Sequence, residues 1–478
     1  MKIKIIKIVS FLIIFILLLN TINNILNFKR ELGNDQIKSF YKEKRNSIDV
    51  LFIGSSRVFC NISPAVLFKN YGISSFSLAT SESPFWNNYY LIKEALKKQK
   101  PKLIVLEIGM SPIGIEYNHP LSIIPALKMS INKINTIIEC APKISWNEYF
   151  NPLLLYHSRY NQLSTNDFYN NYNHLFDNKY YYNYNLDNFK GYIVLTNSVI
   201  VEYKNINTSE TVKLYPKMEK YYRKIIELVK TNNIELLTIL APFDANESYY
   251  LYYNSVKEIA NEYNIDFLDC YLNSYKYLDF TADFNDASHL NYNGAYKFSM
   301  YLGEYLKKNY DFLPDRRGNP KYSSWEANVK HENKHIYNIK LKKIDNIYKY
   351  INNIKNIEDY IISITLLGDY KKDDPIIKDI INSFNINNLY LKNVSYVIED
   401  KKIIYSSAGL SNYLFYKNIG KYNDLVLENG NKLSINRINY IKTQNGINIL
   451  IYDKLTEEIV DNIYLECKDN SIDSTIKR

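Results

Sequence analysis

Cysteine and histidine are both scarce in this 478-residue chain, and each scarcity narrows the available chemistry. The four cysteines, Cys60, Cys140, Cys270 and Cys467, lie far apart and include no C-x-x-C pair, which argues against a disulfide framework or a cysteine-built zinc site. A strong excess of one charge is also missing. Lys and Arg number 59 against 50 Asp and Glu, and the basic residues are scattered rather than striped, so nothing calls for nucleic acid. No repeat of fixed period is visible, which sets solenoid architectures aside. Hydrophobic residues reach 46% and charged residues 23%, ordinary globular values that exclude wholesale disorder. The length is about three typical domains, so more than one core is expected. The 47 tyrosines, with abundant Asn, Ile and Lys, are read as AT-rich coding bias and given little functional weight.

One long hydrophobic run stands out. Residues Ile8 to Asn27 carry no charge and include Phe11 to Leu19. About twenty helical residues at 1.5 Å each cover the roughly 30 Å hydrocarbon core. Asn20, Asn23 and Asn24 weaken the second half, and no A-x-A-like site follows, which favours an uncleaved anchor over a secretory signal. Lys2, Lys4 and Lys7 precede the run while Lys29 and Arg30 follow it, so the positive-inside rule leans toward an inside amino terminus. Without a second comparable span, the remainder is expected outside the cytoplasm, on a single-pass cell-membrane protein. Residues 1–30 are then an anchor and 31–46 a polar stalk.

From residue 48 short apolar runs alternate with helical patterns. Ile48–Ile53, Ser74–Ala79, Leu103–Ile108, Ile234–Leu240 and Ile265–Leu268 read as strands, and Tyr89–Lys98, Met218–Thr231 and Asn291–Lys308 as helices. Continuous β-branched runs between helices predict a doubly wound, flavodoxin-like α/β domain with a parallel sheet, spanning 47–312. Residues 110–212 interrupt it as a long insertion, which in a compact domain is usually a lid, a binding surface or a mobile loop. A polar linker, 313–335, leads to a β-rich domain over 336–470, with strands at Tyr360–Leu367, Asn388–Val397, Lys402–Tyr405, Ile447–Tyr452 and Ile459–Leu465.

The first predicted strand runs into Gly54-Ser55-Ser56-Arg57, and strand carboxyl ends face the crevice of an open α/β sheet. A serine nucleophile needs a base, and the base needs an acceptor that fixes its tautomer. Asp286 and His289 stand three residues apart just before the last helix, and His289 is one of only six histidines. The alternative is that Asp286 caps that helix and His289 is a surface residue.

Together, Ile53-Gly54-Ser55-Ser56 and Asp286-Ala287-Ser288-His289 resemble the SGNH (GDSL-type) hydrolase superfamily over roughly 47–310. Gly-Ser-Ser-Arg with the amino-terminal anchor is similar to the membrane-tethered, DltD-like group that accompanies membrane-bound O-acyltransferases. The resemblance implies Ser56 as nucleophile, His289 as general base and then acid, and Asp286 as orienting carboxylate. It also departs from the pattern: Ser55 stands where many members have Asp, and Glu107-Ile108-Gly109 shows no Asn. The implied oxyanion donors are the Ser56 N–H and an N–H near Ala79 or Thr80. Arg159, in Tyr156-His157-Ser158-Arg159-Tyr160, would grip an anionic acceptor or form a salt bridge, and Arg57 would contact substrate or pair with a carboxylate. Lys190-Gly191-Tyr192 is likewise similar to segments of these relatives.

His331-Glu332-Asn333-Lys334-His335 matches H-E-x-x-H, but its polar surroundings argue against a buried zinc helix. No metal or cofactor enters the reading. The segments Gly446–Asp453 and Glu458–Ile463 are similar to the final hairpin of interleukin-like EMT-inducer (PANDER-type) domains, which implies a β-sandwich-like, carbohydrate-binding module. The resemblances imply an extracytoplasmic O-acyltransferase or esterase acting on a cell-envelope polysaccharide, with a membrane-bound O-acyltransferase as partner. The alternative is a non-catalytic partner or glycan-binding scaffold.

Overall fold

Runs such as Val50-Leu51-Phe52-Ile53 have apolar side chains on both faces of a strand, so they are stable only where both faces of the sheet are covered. The parallel sheet is built of five strands, β1 (Val50–Ile53), β2 (Ser75–Ser77), β3 (Leu103–Glu107), β4 (Glu235–Leu240) and β5 (Asp266–Asp269), in the order β2-β1-β3-β4-β5, with such runs in β1, β3 and β4. This computed structural model describes residues 2–26, 34–114, 123–150, 154, 189–371, 373–386, 393–420, 423–429 and 432–478. The chain divides into two units, Met1–Glu332 and Asn333–Arg478.

In the first unit alternate side chains of each strand enter opposite cores. Leu51, Ile53, Ile104 and Leu106 face the helices Phe85–Leu96, Pro216–Thr231 and Glu247–Glu262, through Trp86, Leu91, Tyr222, Ile225 and Val256. Val50, Phe52, Leu103 and Val105 face the helices Ser56–Asn61, Pro64–Tyr71 and Tyr292–Asn309, through Phe59, Leu67, Phe298 and Leu302. Each fully buried Leu, Ile or Phe contributes about 1.5–3 kcal/mol, so the two layers together hold the sheet. The strand order reverses direction between β1 and β3, which opens a crevice at their carboxyl ends.

Several expectations change. Within the expected stalk, 31–46, the described residues are folded: Asn34–Lys42 is a helix whose Ile37 and Phe40 enter the core, with Phe40 packed edge-on against Phe76 at 5.5 Å. Their spacing of three residues makes one apolar stripe in a segment polar overall. The amino-terminal run is helical over Lys2–Leu26, with the side chains from Ile5 to Leu18 exposed. Among the described residues, however, no helix is long and apolar enough to cross a membrane. The stretch expected as a linker, 313–335, contains the start of a helix, Ser323–Lys342, anchored by buried Trp325, whose indole N–H donates to the Ser75 carbonyl at 2.9 Å.

The insertion supplies a helix, Ile131–Cys140, and a return segment that is stitched down at Lys190. The Lys190 ammonium is 2.9 Å from Glu43 and lies over the Trp325 ring, while its carbonyl accepts from the Ser77 N–H. Arg159, with Tyr156–Tyr160 and Asn161–Asn188, lies outside the described residues.

The second unit is β-rich. An antiparallel six-stranded sheet runs Lys402–Ser406, Val394–Glu399, Tyr360–Leu367, Gly446–Asp453, Glu458–Lys468, Ser471–Ile472. One face carries the helices Ile347–Ile354 and Pro375–Phe384, and the other packs Ile361, Val397 and Leu450 on Leu425, Leu427 and Leu433 of a four-stranded sheet, Leu414–Ile435 with Ile438–Asn439. The strand expected at Asn388–Val397 is Val394–Glu399, and 387–392 lie outside the described residues.

Glu332, the acidic member of the H-E-x-x-H match, is buried and its Oε1 accepts from the Ser63 hydroxyl at 2.6 Å. Burial pushes its carboxyl up to about 7. Among the described residues no group of three or more His, Cys, Asp or Glu is placed to hold a metal ion. A carboxyl raised on folding stabilises fully below its unfolded value of about 4.3 and loses that contribution as pH rises toward about 7. Glu332→Gln, which keeps an acceptor for Ser63 but cannot ionise, is therefore expected to gain about 3–4 kcal/mol near pH 8 and almost nothing near pH 4. Denaturant titrations at the two pH values check this.

Candidate active site

The site begins where β1 ends. Gly54 has φ +156°, and a Cβ there would sit 2.8 Å from Glu107 Cβ and 2.9 Å from Val58 Cγ2, so only glycine lets the chain turn this closely over β3. Ser55 then caps the helix Ser56–Asn61, its Oγ accepting from the Arg57 N–H at 3.3 Å. Ser56 is the first helical residue and is half-buried at the sheet's carboxyl edge.

The other half comes from a tight hairpin, Phe284–Asp286 paired with His289–Leu290. His289 Nε2 lies 2.7 Å from Ser56 Oγ, across 233 residues of sequence. On its other side His289 Nδ1 is 2.8 Å from Asp286 Oδ1 and 3.0 Å from Oδ2. A carboxylate can only accept here, so it holds the proton on Nδ1 and leaves Nε2 able to accept from the serine hydroxyl. The Asp286 side chain is 47% exposed, so hydrogen bonds rather than enclosure fix it. Partial burial opposes its charge, but donation from Asn285 Nδ2, the Ser288 N–H and His289 outweighs that and holds the carboxyl below the usual range. Asp286 does not cap the following helix. Asn291 does, accepting from the Asn293 and Gly294 N–H groups.

Two asparagines that sequence reasoning passed over hold the hairpin in register with the serine. Asn61, at the end of the nucleophile's helix, accepts from the Leu290 N–H at 2.9 Å and donates to the Pro242 carbonyl at 3.3 Å. Asn285 accepts from the Asn197 N–H of the insertion's return segment at 3.0 Å while donating to Asp286. Asparagine is too common in this chain for either to stand out. Glu107 was also missed, although a carboxylate ending an otherwise apolar strand is a signal.

The remaining candidates are placed as follows. Ala79 and Thr80 are buried just beyond β2, next to β1. The Thr80 N–H donates to the Gly54 carbonyl at 3.3 Å, so it is already engaged and does not serve as an oxyanion donor. Arg57 turns inward: it is 9% exposed, its guanidinium lies 3.8 Å over the Phe243 ring, and Nη1 is 4.0 Å from Glu107 Oε1. That is the carboxylate-pairing alternative rather than a substrate contact.

Fold and site therefore define a doubly wound α/β protein with a Ser–His–Asp relay at the strand ends. Among solved structures, the chain is similar to a GDSL-like lipase from Bacteroides thetaiotaomicron, at 12% identity over 54% of this chain and 87% of that one, with a TM-score of 0.26. It is also similar to an acetylxylan esterase from Geobacillus stearothermophilus, at 15% identity over 57% of this chain and 100% of that one, with a TM-score of 0.28. No family model and no curated protein matches the chain. The functional reading below is carried by the site geometry, not by these likenesses.

Asn61→Ala would leave the buried Leu290 N–H and Pro242 carbonyl without their partner. It is expected to cost about 2–3 kcal/mol, read as a lower urea midpoint with unchanged slope.

Proposed function

We propose that this protein is an SGNH-type serine acyl-transfer enzyme, an O-acyltransferase or esterase acting on a cell-envelope polysaccharide. The observation that carries the reading is the 2.7 Å contact between Ser56 Oγ and His289 Nε2, with His289 oriented by Asp286. His289 takes the Ser56 proton as Oγ attacks the ester carbonyl carbon. The tetrahedral oxyanion collapses as His289 returns that proton to the departing alkoxide, leaving an acyl-Ser56 ester. A sugar hydroxyl or water then loses its proton to His289, attacks the acyl carbon and releases Ser56, which regains the proton. The proposed oxyanion donors are the Ser56 N–H, which has no intrahelical partner at this position, and the Ala79 N–H.

The wider setting is part of the same proposal. The uncharged run Ile8–Asn27 and the exposed apolar side chains from Ile5 to Leu18 support a single membrane anchor with the remaining chain extracytoplasmic. A membrane-bound O-acyltransferase is the partner that would deliver the acyl group. The β-rich unit, similar in its last hairpin to PANDER-type domains, would hold polymer. Tyr416, 60% exposed on the four-stranded sheet, supports this, since an exposed aromatic ring can stack on a sugar face.

Fluorophosphonate labelling with peptide mapping tests the reading. Label is expected on the Ser56 peptide, lost in Ser56→Ala and slowed about 100-fold or more in His289→Ala and Asp286→Asn. Unlabelled but folded protein that still binds glycan would overturn the enzyme in favour of a scaffold.

A further inference from the structure

We infer that Glu107 is a positioning residue for the Ser56 nucleophile, acting through both of its chain neighbours; this deepens the acyl-transfer reading and rests on it. Glu107 ends β3, the strand beside β1, and its side chain is fully enclosed. Oε2 accepts from the Ser55 hydroxyl at 2.8 Å and faces the Ser55 N–H at 3.4 Å. Oε1 accepts from the Gly109 N–H at 2.6 Å and lies 4.0 Å from Arg57 Nη1. Ser55 precedes the nucleophile and Arg57 follows it, so one carboxylate reaches both flanks of Ser56.

The polarity of this arrangement matters. A serine hydroxyl has one proton. Glu107 Oε2 accepts it, which leaves the Ser55 oxygen only lone pairs to offer, and these receive the Arg57 N–H at 3.3 Å. That bond caps the helix that begins with Ser56. Gly109 makes room for the arrangement, since a Cβ there would lie 2.0 Å from Arg57 Nη1. The guanidinium in turn packs over the Phe243 ring, with Cζ 3.8 Å from its centroid. An enclosed carboxylate is costly to maintain where apolar packing would hold two strand ends as well. Its placement on both neighbours of the serine is what a purely structural role leaves unexplained.

A displaced nucleophile slows the chemical step without weakening substrate binding, because a shift of about 1 Å is worth about 100-fold. The experiment uses the full-length chain in detergent and measures fluorophosphonate labelling of Ser56 together with p-nitrophenyl acetate turnover. Glu107→Gln, nearly isosteric but uncharged, is expected to lower the labelling rate and kcat by about 10–100-fold with KM within about twofold. Ser55→Asp combined with Glu107→Gln supplies a carboxylate from the capping position itself and is expected to recover at least about tenfold of that loss. Wild-type rates in Glu107→Gln, or a folded double variant as slow as the single one, would overturn the inference. If Glu107→Gln does not fold, Ser55→Ala decides in the same way: a kcat loss at constant KM supports the inference and an unchanged kcat overturns it. Wild-type protein that takes no label at all would overturn the acyl-transfer reading and this inference with it, whereas labelled wild type with an indifferent Glu107→Gln sinks this one alone.

Discussion

A parallel sheet covered on both faces leaves a polar side chain almost nowhere to sit except the ends of its strands. In this protein the apolar demand of β1 and β3 is complete, since Val50 to Ile53 and Leu103 to Leu106 are all buried. Ser55, Ser56, Arg57 and Glu107 are gathered where these two strands terminate. The crevice between β1 and β3 follows from the same constraint, because there the chain leaves the sheet in opposite directions. Chemistry at the carboxyl edge is thus a product of how completely the sheet is buried.

The site divides into parts with different mechanical character. On one side, Gly54 packs against Glu107 so closely that the turn has little freedom, and Ser56 inherits that rigidity. On the other side, base and acid share one hairpin, fastened at one edge by Asn61 and at the other by Asn285 and the insertion's return segment. Asn285 thereby joins the long insertion to the carboxylate that orients the base.

Much of this was legible in the residues. The strands stood out because continuous β-branched and leucine-rich runs have no stable alternative, and Asp286 with His289 stood out because histidine is rare. Other features were hidden by the same kind of reasoning. Asn34–Lys42 looked like a stalk because its composition is polar, yet two apolar residues at helical spacing sufficed to dock it. Arg57 looked available beside the serine, and only three dimensions reveal Phe243 and Glu107 closing around it. Thr80 stood in the right place for an oxyanion donor, but the path of the chain spends its N–H on Gly54. The reading of an anchor rests on the uncharged run Ile8–Asn27, while among the described residues no helix is long and apolar enough to cross a membrane.

The distance in sequence between serine and base has a consequence for the birth of the protein. The strand and helix that carry Ser56 are made early, while His289 follows 233 residues later. At synthesis rates of about 5–20 residues per second, roughly 10–50 s separate the two. During that interval Ser56 is an ordinary alcohol, no more reactive than any other serine in the nascent chain. The contact between Ser56 and His289 is thus completed only with the domain, after the sheet that aims it has been made.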